Sequence, residues 1–247
     1  MPPIVTPAIV LHAFNYSESS RILRLATREA GVQSVLARGA RASQRRFGSA
    51  VDLFAEGEVQ YDVRAGRELH TLARFDISRS RAAIGTSLPR FEGASALAEV
   101  MLRVAGDDDT PADAFDALQT GLDAIASAPD ATVATIRAIW RLLGAIGFTP
   151  ALEACVQCDR PLPPPLDVAF SADAGGVLCD GCATRNSARR LPASARRQIR
   201  DWLLGVEAGA SIDQPTERAH RRLLRIFVRA HLADGRPLRA FDAWANA

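Results

Sequence analysis

Lysine is absent from this sequence, and all 30 of its basic residues are arginine. Enzymes that form a lysyl-nucleotide intermediate or a Schiff base need a lysine, and so does a standard Walker A phosphate-binding loop. These classes are therefore excluded. The sequence also has no His-x-Glu motif ahead of its cysteines, which a zinc-dependent deaminase would require.

Long apolar runs are missing as well. Nowhere do eighteen apolar residues follow one another, and residues 1–14 lack the basic flank and apolar stretch of a signal peptide. We therefore expect a soluble cytoplasmic protein that makes no membrane contact. In that compartment thiols stay reduced, which favours metal binding over disulfide formation. A length of 247 residues allows one or two domains.

Only four cysteines are present, and their spacing is the strongest chemical signal in the chain. They form two Cys-x-x-Cys pairs, Cys155/Cys158 and Cys179/Cys182, separated by twenty residues. Two such turns facing each other supply four thiolates in a tetrahedron, which is the geometry that Zn²⁺ accepts. Because four thiolates leave no open coordination position, we predict one structural zinc per chain. Two disulfides or an iron–sulfur cluster are the alternatives for this cysteine set.

Charge is unevenly distributed along the chain although the net charge is only +2. Residues 1–81 hold 12 arginines against 8 carboxylates, residues 82–182 hold 5 against 14, and residues 183–247 hold 13 against 6. Two basic ends therefore flank an acidic middle. This segregation indicates a polyanionic partner at the ends and a different partner at the middle.

The first third of the chain has the period-two pattern of β-strands. Apolar and polar residues alternate in five segments, near residues 7–14, 21–27, 32–38, 55–64 and 68–77. Five short strands with a longer connection after the third fit an OB-fold, a partly open Greek-key barrel, although other small barrels have the same strand count. We predict that residues 1–81 form an OB-fold DNA-binding domain.

After residue 81 the apolar residues recur with the period of helices, so the predicted fold class is α+β. Residues 82–247 are expected to form a helical domain that carries the zinc module at 150–185. The last predicted helix, near residues 216–232, should bury Ala219, Leu223, Phe227 and Ala230. The tail after residue 235 has no readable pattern.

Two groups of arginines are candidates for phosphate contact. Arg38, Arg41, Arg45 and Arg46 lie within nine residues of the loop after the third strand, where they repel each other unless an anion is bound. Arg218, Arg222, Arg225 and Arg229 line one face of the last helix, which is either a solvated face or a phosphate-binding one. The aromatic residues Phe14, Tyr16 and Phe47 could stack on bases or close the end of the barrel.

Four segments resemble, in order and spacing, the amino-terminal domain of the bacterial recombination mediators of the RecO family. They are Tyr-Ser-Glu-Ser-Ser-Arg-Ile at 16–22, Thr-Arg-Glu-Ala-Gly at 27–31, Ala-Arg-Gly-Ala-Arg at 37–41 and Glu-Leu-His-Thr-Leu at 68–72. The likeness covers nearly the whole chain, because the family continues with a helical domain that carries a four-cysteine zinc module in many members.

The resemblance implies a non-enzymatic, cytoplasmic and nucleoid-associated protein. Such proteins bind single- and double-stranded DNA and anneal complementary strands. They also join RecR and help load RecA onto DNA coated by single-strand-binding protein. The acidic carboxy-terminal tail of single-strand-binding protein contacts the helical domain of the family. The predicted DNA-binding residues are Arg21, Arg38, Arg41, Arg45, Arg46, Arg218, Arg222, Arg225 and Arg229.

Two other functions fit the same parts. The chain could be a zinc-containing OB-fold scaffold that touches only proteins, or a nucleic-acid-processing protein of another pathway. Among processing enzymes, a ligase is disfavoured by the missing lysine, and no clustered Asp/Glu/His motif supports a nuclease.

Overall fold

Five strands at the amino terminus close into a barrel. The computed structural model of the chain describes residues 3–40, 47, 52–64, 66–104, 111–206, 212–232 and 235–246. Within them the barrel strands are β1 (Ile4–Asn15), β2 (Arg21–Thr27), β3 (Val32–Ala37), β4 (Glu56–Asp62) and β5 (Leu69–Arg79). Their order is β1-β2-β3-β5-β4, with β4 pairing back to β1, and β3 and β5 run parallel while the other pairs are antiparallel. This closed five-stranded barrel confirms the predicted α+β fold class.

Side-chain alternation explains why the strands form a barrel with its own core. On β4, Val59 and Tyr61 are fully buried in the interior, while Glu58 faces solvent. A glycine is needed at position 57, because a Cβ there would lie 2.0 Å from the Asp76 carbonyl oxygen on β5. The close approach of these two strands therefore depends on Gly57.

The first strand of the barrel packs against a layer of helices through the face that points away from the barrel interior. Four helices follow the barrel: α1 (Ala82–Gly85), α2 (Leu88–Val104), α3 (Ala112–Ser127) and α4 (Ala131–Ala145). Ile9 and Leu11 of β1 and Phe54 share one hydrophobic core with these helices. Because β1 is buried on both faces, the barrel and the helices have a continuous apolar contact.

A buried polar network joins the barrel to the helices. Arg81 is only 6% exposed and donates to the Phe54 carbonyl at 2.9 Å, to Glu56 at 2.5 Å and to Asp123 of α3 at 2.7 Å. Gln119 donates to the second oxygen of Glu56 at 2.6 Å. Each hydrogen bond satisfies a group that would be costly to bury alone, so the network holds the two parts in one orientation.

The segment around the cysteines forms a small sheet. It contains β6 (Val168–Ser171), β7 (Gly176–Leu178), the short helix α5 (Asp180–Ala183) and β8 (Arg189–Leu191), with strand order β7-β6-β8. Phe170 of this sheet packs on Phe227 with ring centroids 6.2 Å apart. The cysteine module is therefore anchored in the helical core.

Three helices complete the chain: α6 (Ala193–Leu203), α7 (Gln214–Leu232) and α8 (Arg239–Asn246). Helix α8 lies in the tail for which no pattern was predicted. It buries Phe241 and Trp244, Leu238 just before it is also buried, and the Phe241 backbone N–H donates to Glu99 of α2 at 2.8 Å. None of the described helices combines the length and the hydrophobicity that a membrane-spanning segment needs.

The buried face predicted for α7 is wrong. Ala219 and Ala230 are exposed and Leu223 is only partly buried, so Phe227 alone of the four predicted residues is fully inside. Together with Phe227, the helix buries His220, Leu224, Val228 and Leu232. Apolar residues occur on both sides of Phe227, and packing against α4 and α8 selects the face that contains Leu224 and Val228.

Candidate metal centre and nucleic-acid interface

The four cysteines meet at one point. The Sγ atoms of Cys155, Cys158, Cys179 and Cys182 all lie within 4.8 Å of one another, and those of Cys158 and Cys179 are 3.8 Å apart. A tetrahedral metal with bonds of about 2.3 Å to sulfur would separate its ligands by about 3.8 Å. All four thiols are free. The donor set and its spacing therefore fit a metal ion.

Local hydrogen bonds shape the first cysteine turn. The Cys155 N–H donates to the Arg160 carbonyl at 2.9 Å, and the Asp159 N–H donates to the Cys155 carbonyl at 2.9 Å. Asp159 has a φ of 55°, the left-handed conformation that reverses the chain here. The Val156 N–H donates to the Val177 carbonyl at 2.9 Å, which ties the turn to β7. The turn is thus held in place from both sides.

The second turn completes the site at the start of α5. The backbone N–H groups of Cys182 and Ala183 both donate to the Cys179 carbonyl, at 3.0 and 2.9 Å. Burial raises the pKa of the Cys155 thiol, but N–H donors of Cys179, Gln157 and Cys158 outweigh it and lower the pKa to about 6. These donors favour the thiolate, which is the form that binds a metal.

Arg196 of α6 connects this module to the helical core. Its side chain is buried, and its guanidinium donates to the carbonyls of Leu152, at 2.7 Å, and Leu162. These two residues bracket the first cysteine turn. The guanidinium therefore fixes the turn relative to α6.

Two of the predicted DNA-binding arginines lie on neighbouring strand ends at one end of the barrel. Arg21 begins β2 and pairs with Ala37, the last residue of β3, so that Arg38 follows directly beside it. Arg38 is exposed and Arg21 half-buried. Arg41, Arg45 and Arg46 lie outside the described residues.

Two aromatic side chains share this end of the barrel. Phe14 and Tyr16 are 43% and 60% exposed, and Asn15, between them, pairs with Arg21. Phe47, in contrast, is 6% exposed and packs in the interior of the barrel. Of the two roles considered for these residues, Phe47 closes the barrel, whereas Phe14 and Tyr16 are accessible to a ligand.

The arginines of α7 are in part neutralised within the chain. Arg225 and Arg229 both pair with Asp242 of α8, at 3.4 and 2.8 Å. Arg218 donates to Gln214 at 2.7 Å, and Arg222 is exposed. One carboxylate thus offsets part of the positive charge on this face.

A pocket that the sequence did not predict opens between α3, α4 and α6. Its volume is about 510 Å³, and its apolar lining includes Ala124, Val133 and Trp202. Arg137 and Arg141, one turn apart on α4, lie at its edge, and Arg141 is exposed. Because residues four apart lie on the same face of a helix, the sequence could have indicated that these two arginines lie together.

Comparisons with known proteins match both parts of the chain to the same family. The family model described as Recombination protein O N terminal matches residues 1–81, and the one described as Recombination protein O C terminal matches residues 86–240. The DNA repair protein RecO of Anaeromyxobacter sp. (strain K) is 34% identical over 245 residues, covering 97% of this chain and 95% of the relative. The DNA repair protein RecO of Rubrobacter xylanophilus is 30% identical over 228 residues, covering 90% of each. This chain therefore belongs to the RecO family of DNA repair proteins.

Proposed function

We propose that this protein is a non-enzymatic mediator of recombination in DNA repair. It binds single- and double-stranded DNA, anneals complementary strands and, with RecR, helps load RecA onto DNA coated by single-strand-binding protein. The observation that carries the proposal is the cluster of Arg21, Arg38, Phe14 and Tyr16 at one end of the barrel. Guanidinium groups hold phosphates there, and the exposed rings hold bases.

Annealing follows from charge neutralisation. Two complementary strands repel each other through their phosphates, and a cationic surface that binds both lowers this repulsion. We assign DNA contact first to Arg21, Arg38, Arg41, Arg45 and Arg46. The arginines of α7, which are Arg218, Arg222, Arg225 and Arg229, remain a predicted second group.

The same proposal assigns separate roles to the two parts of the chain. Residues 1–81 form the DNA-binding domain, and residues 82–247 form a helical domain with the cysteine module at 150–185. The metal is one structural zinc, because a four-thiolate shell leaves no position for a reacting water. The protein acts in the cytoplasm, at the nucleoid.

Alanine at both exposed aromatics should weaken binding to single-stranded DNA. Base–aromatic stacking contributes about 1–3 kcal/mol per base, so we expect each of Phe14→Ala and Tyr16→Ala to raise Kd about tenfold. Fluorescence anisotropy with a labelled oligonucleotide measures this. Tyr16→Phe keeps the ring and serves as the matched control. Unchanged binding by the double alanine variant would remove these rings from the site.

The enzymatic alternative is tested by incubating the protein with magnesium and labelled DNA. A nuclease would cleave the strands, whereas a mediator leaves them intact and accelerates annealing of complementary oligonucleotides. Magnesium-dependent cleavage of the DNA by the purified protein would contradict the proposal. A scaffold that touches only proteins would bind no oligonucleotide.

The pocket between α3, α4 and α6 is where we propose that the tail of single-strand-binding protein docks. The middle of the chain is acidic and would repel an acidic tail, so a local cationic group beside an apolar pocket is required. Arg141 supplies the exposed charge, and Ala124, Pro129 and Val206 supply accessible apolar surface.

Reversing the charge at Arg141 tests this docking site. We expect Arg141→Glu to weaken binding of an acidic peptide with a free carboxylate and apolar last residues by about tenfold. Isothermal titration calorimetry gives the affinity. Arg236→Glu, at an exposed arginine that does not line the pocket, makes the same charge change and should bind normally. Equal loss in both variants would indicate general electrostatics and no specific pocket.

A further inference from the structure

Helix α7 has a second apolar face that the other described elements cover only in part. Ala219 is exposed, and Leu223 and Ile226 are only partly buried. They follow one another at steps of four and three residues, so they share one face. Across from them lie Leu191 of β8 and Ala195 of α6, and the groove between has a volume of about 640 Å³.

The edges of this groove are positively charged. Arg189 and Arg222 line it and are exposed. Arg190 also lines it but pairs with Asp167, at 2.9 Å. None of the described residues that line the groove is an aspartate or a glutamate. An occupant therefore meets an apolar floor between cationic edges.

We propose that this groove is a docking site for an acidic amphipathic segment of a partner protein. Apolar side chains of the segment cover Leu223 and Ile226, and its carboxylates face Arg189 and Arg222. The charge complementarity selects an acidic partner, and an amphipathic segment laid in an apolar groove is a recurrent mode of peptide recognition. The volume is in the range of about 300–1,000 Å³ that is common for binding pockets.

A peptide fits this surface better than nucleic acid does. No phenylalanine, tyrosine or tryptophan occurs among the described residues that line the groove, so bases would have no ring on which to stack. Phosphates could reach the edges, but the aliphatic floor would then stay in water. None of the residues that the structure describes lines both this groove and the pocket between α3, α4 and α6.

The test uses the full chain and three labelled peptides with blocked ends. The first carries leucines at helical spacing among glutamates, the second has glutamine for each glutamate, and the third has serine for each leucine. The protein carries Arg141→Glu throughout, which should weaken peptide binding at the pocket between α3, α4 and α6. We expect the first peptide to bind about tenfold more tightly than either matched peptide, measured by fluorescence anisotropy.

Two independent changes in the groove should each weaken binding of the first peptide about tenfold. Ala219→Trp fills the groove without changing its charge, and the pair Arg189→Glu and Arg222→Glu reverses the edges without touching the apolar core. The pair Arg197→Glu and Arg218→Glu is the matched control, because it makes the same charge change at two exposed arginines that do not line the groove. That variant should retain the affinity.

Equal binding of all three peptides, or full binding by both groove variants, would overturn the proposal. A labelled oligonucleotide provides the remaining comparison. We expect the Ala219→Trp protein to bind the oligonucleotide normally. Loss of peptide binding and loss of DNA binding are therefore distinguishable in this variant. If Ala219→Trp instead weakened oligonucleotide binding and left peptide binding unchanged, the groove would belong to nucleic acid and the proposal would be wrong.

Discussion

Cys155→Ser should abolish binding of the proposed zinc and destabilise the protein strongly. Cys155 is fully buried, and backbone N–H groups that favour its thiolate surround it. Structural zinc contributes on the order of 10 kcal/mol of apparent binding free energy in small modules, and serine is a much poorer ligand. Metal analysis of the purified protein and thermal unfolding measure the two effects.

The destabilisation should extend beyond the cysteine module. Phe170 and Val177 of the small sheet belong to the core that contains Trp140 and Phe227, so loss of the module exposes part of that core. Ala183→Ser, beside Cys182, introduces the same side chain and should keep one zinc per chain. A Cys155→Ser protein with unchanged metal content and unchanged unfolding would contradict a structural four-cysteine site.

Arg81→Met should cost about 3–5 kcal/mol of folding free energy. The substitution keeps an unbranched side chain but removes the guanidinium that pairs with Glu56 and Asp123. Glu56 is only 7% exposed, so its carboxylate would stay buried with Gln119 as its remaining described partner. A buried charge without its counter-ion is strongly destabilising. Denaturant unfolding gives the free-energy difference.

Arg79→Met is the matched control for this junction. Arg79 pairs with the same Asp123, but its side chain is half exposed. An exposed ion pair contributes about 0–1 kcal/mol, so Arg79→Met should be close to neutral. If the two variants were destabilised equally, burial would not be the reason for the effect at Arg81. Both proteins should retain their metal, which separates this junction from the cysteine site.

The parts of the fold with strict local periodicity could be predicted from the sequence. The five strands follow from alternation, as on β4, where Val59 and Tyr61 face the interior. The cysteine cluster follows from the spacing of two identical motifs. In both cases the signal is contained in a few neighbouring residues, so no knowledge of distant packing is needed.

Other features depend on packing between distant segments. Helix α7 has apolar residues on two faces, and its packing against distant elements, chiefly α4 and α8, decides that Leu224 is buried and Ala219 is not. Helix α8 could not be predicted because it has only two large apolar residues, Phe241 and Trp244, and their packing against α2 is not visible in the local sequence. The pocket lined by Arg141 and Trp202 joins helices far apart in sequence.

The exposure of single aromatics could not be predicted either. Phe14, Tyr16 and Phe47 all adjoin loops of the barrel, and a side chain there either enters the barrel or faces solvent. Packing places Phe47 with Leu25 and Val35 inside the barrel and leaves the other two at its edge. Local sequence carries no signal for this choice.

The most direct test of DNA binding by the barrel is a salt titration with a single-stranded oligonucleotide. For single strands, log affinity should fall linearly with log salt concentration, with a slope of about −0.7 for each neutralised phosphate. Replacing Arg38, Arg41, Arg45 and Arg46 by alanine should make the slope shallower by about 0.7 for each phosphate that these arginines neutralise. Thermal stability should stay unchanged. A slope identical in the two proteins, or an affinity independent of salt, would contradict the proposal that these guanidinium groups hold the DNA backbone.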